Sequence, residues 1–389
     1  MLRHSSHRKA SPANQAKTRT QPKTKIHRRA VTSTVLAVVA ALALAACAGG
    51  GQASGPSAGS DSSSPDNSDQ QDITVRLGFF PNITHAPALV AIGDGHFDYY
   101  LGGSTLETQA FFGGPPALEA LLAGAIDATF IGVGPVITTF VSTHGEGVRI
   151  VAGGASGGAQ LVVRDSITSM DQLVDVTLAT PQMGGTQDVA AKWFLEEAGI
   201  DWSTMPGSDV TVSNIDNPQT LQLFMQGSID GGWLPEPWAS RLVLEAGAHV
   251  LVDESDLWPN GEFSTTILVV RPDFLEQHPD AVEALIRGLD SAIASIHEDT
   301  AAAADTSNQL IAQSAGAPLS DEVMERAFAN MTFGLDPFAH TIQINADRAV
   351  AVGTAHPAPL DGIVDLRILN AIRVEQGLET FSAAGLGEE

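Results

Sequence analysis

From Ile73 onward the chain repeats one pattern: a short β-branched and aliphatic run, a polar or Gly/Pro-rich turn, then apolar residues at helical spacing. Residues 73–79 read as a strand that ends at Pro81 and passes through Asn82, Thr84 and His85 into an apolar helix, 86–92. Residues 104–111 are extended and break at Gly113-Gly114-Pro115-Pro116 before a helix at 117–122. A strand at 126–133 ends in Gly132-Val133-Gly134-Pro135, and one at 148–152 runs into a glycine-rich turn at 153–159 that contains Ser156 and Gly157. After a strand at 161–164 and another at 176–179 comes Thr180-Pro181-Gln182-Met183-Gly184-Gly185-Thr186-Gln187-Asp188, then a helix at 189–198. A strand at 210–212, a helix at 218–225 and a strand before the turn-rich Gly232-Trp233-Leu234-Pro235-Glu236-Pro237-Trp238 complete the series. Strands at 249–252 and 265–270 are followed by helices at 273–277, 281–296, 301–314, 320–329, 342–352 and 364–375, all with apolar residues at i, i+3, i+4 spacing. These later helices read as scaffold.

A strand that hands over to a helix through a turn places a loop at the carboxyl end of a sheet, where ligands collect in open α/β folds. Asn82, Thr84 and His85 are all hydrogen-bond donors in such a turn, although Asn82 or Thr84 could equally serve as a helix cap. Proline in a first helical turn lacks an N–H that would be orphaned anyway, and neighbouring glycines let backbone N–H groups approach a ligand. No turn ends in Gly-Lys-Ser/Thr, so none is a P-loop. Trp233 and Trp238 suit either a pocket wall or a core. Glu236, between two prolines, either faces a ligand or caps the helix beginning near Pro237.

The amino-terminal segment changes the picture. Nine Lys/Arg and no acidic residue precede position 30, an apolar run follows, and Leu44-Ala45-Ala46-Cys47 ends it. This is the layout of an export signal, and the apolar run is too short for a spanning anchor. The ending resembles a bacterial lipobox, which implies cleavage before Cys47, its lipidation, and attachment to the outer face of the cytoplasmic membrane. Cys47 is the only cysteine of 389 residues, so there is no internal disulfide. Residues 48–72 are Gly, Ser, Pro, Asp, Asn and Gln with hardly an apolar side chain beyond three alanines, and suit a disordered tether. Removing the nine basic residues of the signal takes the formal net charge from −25 to −34. So acidic a surface disfavours nucleic acid and anionic lipid as partners.

Four stretches, GFFPNITHAPAL at 78–89, PALEALLAGAIDATFIG at 116–132, ATPQMGGTQDVA at 179–190 and IDGGWLPEPWASRLV at 229–243, carry a family likeness. Through them the sequence resembles the solute-binding proteins of nitrate, sulfonate and taurine type ABC importers. The resemblance implies an α/β, type II periplasmic-binding-protein fold: two doubly wound lobes joined by two crossovers, with the ligand cleft between them. The expected division is a lipoprotein signal peptide at 1–46, a tether at 47–72, lobe I at 73–170 and 263–389, and lobe II at 171–262. Carried onto this chain, the implied ligand shell is Pro81, Asn82, Thr84, His85, Gly113, Gly114, Pro115, Gly132, Gly134, Ser156, Gly157, Gly184, Gly185, Thr186, Gln187, Trp233 and Glu236. The implied partners are a small anionic solute and a transmembrane permease driven by a separate ATPase, with the protein itself a monomer and without a cofactor or metal. The ligand stays open among an alkanesulfonate, taurine, nitrate, bicarbonate and a pyrimidine thiamin precursor.

The competing class is an enzyme of the thiamin pyrimidine-synthase type. That type relies on a cysteine-rich motif and an iron site, and a chain whose lone cysteine stands at the lipobox lacks the motif. No His/Cys/Asp/Glu cluster has metal-ligand spacing and no nucleophile elbow occurs, so binding without catalysis is expected. None of the expected cleft turns contains Lys or Arg. An anion would then rest on helix N-termini near Pro115 and Thr186, on Asn82 and Thr84, and on His85 if it is charged.

Overall fold

The structure, a computed structural model, describes residues 72–389; the expected lipidation site Cys47, the signal and nearly all of the tether lie outside the described residues. The chain opens with β1 (Thr74–Phe79), α1 (Ala86–Gly93), α2 (His96–Leu101), β2 (Thr105–Ala110), α3 (Gly114–Leu122), β3 (Ala128–Ile131), α4 (Val133–Ser142) and β4 (Arg149–Gly157). A second group follows: β5 (Ala159–Arg164), β6 (Val176–Thr180), α5 (Thr186–Glu197), β7 (Trp202–Ser203), β8 (Val210–Asn214), α6 (Asn217–Met225), β9 (Gly231–Pro235), α7 (Trp238–Ala246) and β10 (Ala248–Asp253). The chain then returns through β11 (Ser264–Val270), α8 (Pro272–Gln277), α9 (Pro279–Glu298), α10 (Thr300–Ala315), α11 (Asp321–Ala329) and β12 (Met331–Phe333). It ends with α12 (Ala339–Ala351), β13 (Val364–Asp365), α13 (Arg367–Glu375) and β14 (Gly387–Glu388).

Two sheets result, each the spine of a lobe. The first has the order β14-β13-β4-β11-β3-β1-β2, with β12 paired on β4, and the second β10-β5-β9-β6-β8-β7. In the first, β1 runs parallel to β2 and β3, while β11 inserts antiparallel between β3 and β4. In the second, β6 is parallel to β8 and β9, and β5 antiparallel to β9 and β10. The strands next to the two chain crossings, β4, β5, β10 and β11, all take part in antiparallel pairs, as does β12 on β4. Strand alternation sorts the second lobe's core: Leu161 and Val163 of β5 enter one apolar cluster, and Val162 between them enters the cluster on the opposite face. In the first lobe α9 buries Val282, Leu285, Ile286, Leu289, Ile293 and Ile296, the stripe its spacing predicts.

Four expectations need correction. The glycine-rich stretch 153–159 is largely strand, because a Cβ at Gly153 would stand 2.2 Å from the Asp336 carbonyl oxygen; glycine is there for close backbone approach within a sheet. β5 already belongs to the second sheet, so the first crossing lies at Gly157-Gly158 and not near position 170. Both glycines have left-handed φ, +76° and +68°, which turns the chain sharply from one sheet to the other. At the other end, the helix expected from 364 starts at Arg367, since Val364 and Asp365 pair with β14. The Gly232–Pro235 stretch, expected as a turn, lies within strand β9.

Candidate functional site

The carboxyl ends of β1, β2, β3, β6, β8 and β9 converge on a small cavity between the lobes, about 80 Å³ in volume. Seven expected residues line it: Asn82, Gly113, Gly114, Gly132, Gly185, Thr186 and Gln187. Gly113, Gly132 and Gly185 are the N-caps of α3, α4 and α5, so three helix N-termini meet here. Their leading N–H groups carry partial positive charge and have no intrahelical acceptor. The walls hold no Lys, Arg, His, Asp or Glu. The cavity is therefore suited to a small anion held by backbone and neutral donors.

The glycines have a second reason, visible only across the lobes. Gln182 Oε1 accepts the Gly114 N–H at 3.1 Å, and Thr186 Oγ1 accepts that of Gly134 at 3.2 Å. A Cβ on Gly113 would fall 1.7 Å from Gln182 Nε2, and one on Gly132 would fall 2.8 Å from Thr186 Oγ1. Glycine thus lets the second lobe's side chains reach the helix starts of the first. Gly134 belongs to this contact without lining the cavity, while Pro115 and Gly184 line a larger groove beside it.

The first turn divides. Asn82 Oδ1 accepts from the Trp238 indole N–H at 3.2 Å, joining the turn after β1 to the start of α7 in the other lobe. Thr84 and His85 are buried and, with Pro81, do not line the cavity. His85 Nδ1 accepts the Phe80 N–H at 3.3 Å and its ring stacks on Phe80 with centroids 4.6 Å apart. Complete burial pushes its pKa down to about 3, so it is neutral and supplies no positive charge to an anion.

Four further expected residues hold structure. Ser156 and Gly157 sit at the crossing, where Ser156 Oγ accepts the Phe263 N–H at 3.4 Å and the Gly157 carbonyl accepts from Thr265 Oγ1 at 2.5 Å. Trp233 lies within β9 opposite Leu161, its ring against Phe194 and its Nε1 donating to Glu254 at 2.6 Å; being short of the strand end, it serves the core. Glu236 is fully buried. Its Oε2 accepts the Ser240 N–H of α7 at 3.0 Å, and its Oε1 accepts from Arg326 at 3.1 Å and Asn330 at 2.7 Å. Burial raises its pKa, against the pull of Asn330, Ser240 and Arg326. It caps α7 and ties the lobes together.

Gln182, Asn217, Phe80, Phe112 and Pro235 also line the cavity and were not singled out from sequence. Gln182 and Asn217 follow the rule that strand-end turns supply ligand contacts, since they lie just beyond β6 and β8. Asn217 Oδ1 is buried without a hydrogen-bond partner. Lys192, the lone lysine after Cys47, is no free cation. It donates to Asp188 at 2.7 Å, and Asp188 also accepts from Thr180, Asn214 and the Gly184 N–H, fixing the 181–185 turn to α5. Among the described residues no cluster of three or more His, Cys, Asp or Glu could hold a metal.

Known proteins share this frame. The chain is 27% identical over 202 residues to the taurine-binding periplasmic protein of Escherichia coli (strain K12), an alignment covering 52% of this chain and 60% of that protein. It is 25% identical over 329 residues to a Bacillus subtilis (strain 168) protein provisionally named an aliphatic sulfonates-binding protein, covering 80% of this chain and 90% of the relative. The solved alkanesulfonate-binding protein SsuA from Xanthomonas axonopodis pv. citri, bound to MOPS, superposes with a TM-score of 0.61 at 19% identity, covering 73% of this chain and 94% of that one. That superposition shows the type II periplasmic-binding-protein fold. The NMT1-like family model matches residues 68–312, more than half of the chain, and the chain belongs to that family.

Proposed function

We propose that this protein is the substrate-binding component of an ABC importer. It captures a small sulfonate-type anion between its lobes and delivers it to a transmembrane permease driven by a separate ATPase. In this reading the protein is exported, held on the outer face of the cytoplasmic membrane by a lipid on Cys47, monomeric, and without catalytic activity. One observation carries the ligand class: three helix N-termini and neutral amides surround a cavity with no charged side chain. Such a site stabilises negative charge without a counter-ion that strong hydration would favour keeping in water. The relatives named for taurine and aliphatic sulfonates support the same class. Glu236 is committed to Ser240, Arg326 and Asn330, which removes the expected partner for an ammonium and favours an alkanesulfonate over taurine.

The test is a thermal-shift and calorimetric panel of ethanesulfonate, taurine, nitrate and bicarbonate. Ethanesulfonate at 100 times its dissociation constant should stabilise the protein by about 2.7 kcal/mol. A panel in which only nitrate or bicarbonate binds would replace the sulfonate. A panel without any binding would remove the oxyanion class. A second reading has an observation of its own, since the partnerless Asn217 Oδ1 could accept from the ammonium of taurine. Asn217→Asp separates them: if Asn217 meets the ammonium, taurine should keep its affinity while ethanesulfonate loses about tenfold or more.

A further inference from the structure

Four donors converge on the Asp188 carboxylate just behind the cavity. Its Oδ1 accepts from Thr180 Oγ1 at 2.7 Å and Asn214 Nδ2 at 2.8 Å, and its Oδ2 accepts from the Gly184 N–H at 2.8 Å and Lys192 Nζ at 2.7 Å. A side chain that accepts on both arms must be a carboxylate, because the amide of asparagine would turn a donor toward one of these pairs. The turn that brings Gln182, Gly185 and Thr186 to the cavity is thus braced by a negative charge. That charge stands in the first turn of α5, whose N-cap Gly185 lines the cavity. Left alone, it would oppose the positive end of the helix dipole that attracts an anion. We propose that Lys192 is the charge-neutralising residue of the anion site: it cancels Asp188, so that the carboxylate braces the turn without repelling the ligand. The proposal rests on the anion reading and deepens it, assigning part of the affinity for negative charge to a residue outside the cavity walls.

The lone lysine after Cys47 is buried, although lysine belongs on a surface. A buried ion pair gives the fold little that well-packed apolar residues would not, so stability alone does not account for it. Its placement does. Lys192 follows Asp188 by one helical turn, and side chains lean toward the N-terminus of their helix, which carries the ammonium back toward the cavity end of α5. There it bonds the carboxylate and lies 5.2 Å from the Trp202 ring centre. Both side chains of the pair are at most 3% exposed, so solvent screens neither charge. Asp216, the N-cap of α6 beside the cavity-lining Asn217, is exposed and needs no such partner.

Like charges about 10 Å apart, at an effective dielectric constant of about 20, repel by roughly tenfold in an equilibrium constant, which sets the scale of the effect. Calorimetry with ethanesulfonate tests it on the wild type, Lys192→Met, Lys192→Arg and the Asp188→Asn/Lys192→Met double variant, with the melting temperature of each recorded without ligand. Lys192→Met keeps the length of the side chain and loses the charge, and should bind about tenfold more weakly. Lys192→Arg fits the site less well in shape but keeps the cation, and should regain most of that loss. The double variant removes the carboxylate too, and should bind at least about threefold tighter than Lys192→Met although it loses a further tie to the turn. A role confined to packing gives the reverse order, with Lys192→Met nearest the wild type and the double variant weakest. If Lys192→Met does not fold, Lys192→Gln takes its place in the same comparison. A neutral variant within about twofold of the wild type, a Lys192→Arg as weak as the neutral variant, or a double variant no tighter than it overturns the proposal and leaves the anion reading standing. A wild type that binds none of ethanesulfonate, nitrate and bicarbonate overturns both.

Discussion

Gly134 shows how a single hydrogen atom serves closure. It lies in the first turn of α4 with ordinary helical geometry, so alanine would suit the helix at least as well. A Cβ there, however, would stand 3.0 Å from the Thr186 nitrogen and 3.3 Å from the Gly185 carbonyl carbon, backbone atoms of the other lobe that cannot rotate away. Overpacking of this size costs about 1–3 kcal/mol, roughly tenfold in affinity when it falls on closure. Gly134→Ala should therefore weaken ethanesulfonate about tenfold with little loss in melting temperature, measured by calorimetry and thermal denaturation on one preparation. His85 gives a residue-scale effect of the opposite kind. Its folded pKa of about 3 lies below the ordinary 6.5, so the unfolded chain binds the extra proton and stability falls as pH drops through that window. The slope approaches about 1.4 kcal/mol per pH unit. Glu254, pushed up to about 7 by burial, acts in the opposite sense, because its protonation on the way down relieves a buried charge. Urea titrations at pH 7, 6 and 5 should show His85→Gln losing less stability on acidification than the wild type, while ligand affinity stays insensitive to His85 ionisation between pH 5 and 8. Equal acid slopes for the two proteins would mean that His85 does not titrate below its ordinary value.

At the scale of elements, the late helices carry more than the scaffold role their periodicity suggests. α11 buries Met324, Ala327 and Phe328 in the first lobe and extends Arg326 to Glu236, Ser240 and Gln160 of the second. Arg326→Met leaves a buried carboxylate with only Asn330 and Ser240, and should cost about 2 kcal/mol, below the figure for a fully buried pair because Arg326 is partly exposed. Adding Glu236→Gln should recover part of that loss, and denaturant midpoints of the single and double variants would measure the coupling. The sequence made the elements legible where each could be read locally: residues 73–79 against β1, or the apolar stripe of α9, needed only period and punctuation. It misread residues 153–159, since glycine written in one dimension signals a turn, and here it answers to the Asp336 backbone brought alongside β4 by the fold. The strand-end turns are what the structure brings together around the candidate cavity, with Asn82, Gly113, Gly132 and Thr186 among its lining residues. Gln182 and Asn217 were not singled out, Trp238 and Trp233 stood open between pocket wall and core, and Glu236 takes the helix-capping role that stood beside the ligand role, because which face of a turn meets the other lobe depends on docking that no local pattern encodes.

At the scale of the whole molecule, ties surround the cavity. Asn82 meets Trp238, Gly114 and Gly134 meet Gln182 and Thr186, and Glu236 meets Arg326. On a further contact between the lobes, the Arg348 guanidinium of α12 stacks over Trp193 of α5 at 3.7 Å and over Trp258 of the second crossover at 3.8 Å, and donates to the Leu257 carbonyl at 2.9 Å. Such contacts favour closure before any ligand contributes, and a ligand touching both lobes adds its differential affinity for the closed state. Mutual repulsion among the excess carboxylates opposes them and weakens as salt screens it. Removing two ties at once should therefore bring the open state into view. The Arg326→Met/Arg348→Met double variant should show a larger radius of gyration than the wild type in low-salt small-angle scattering, and should contract when saturated with ethanesulfonate. Salt at about 0.5 M should narrow the gap between the two proteins before any ligand is added, because a shorter screening length reduces the repulsion that the missing ties no longer balance. A double variant as compact as the wild type at every salt concentration would mean that the remaining contacts hold the lobes closed unaided, and that Arg326 and Arg348 contribute to stability within the closed form without setting its population.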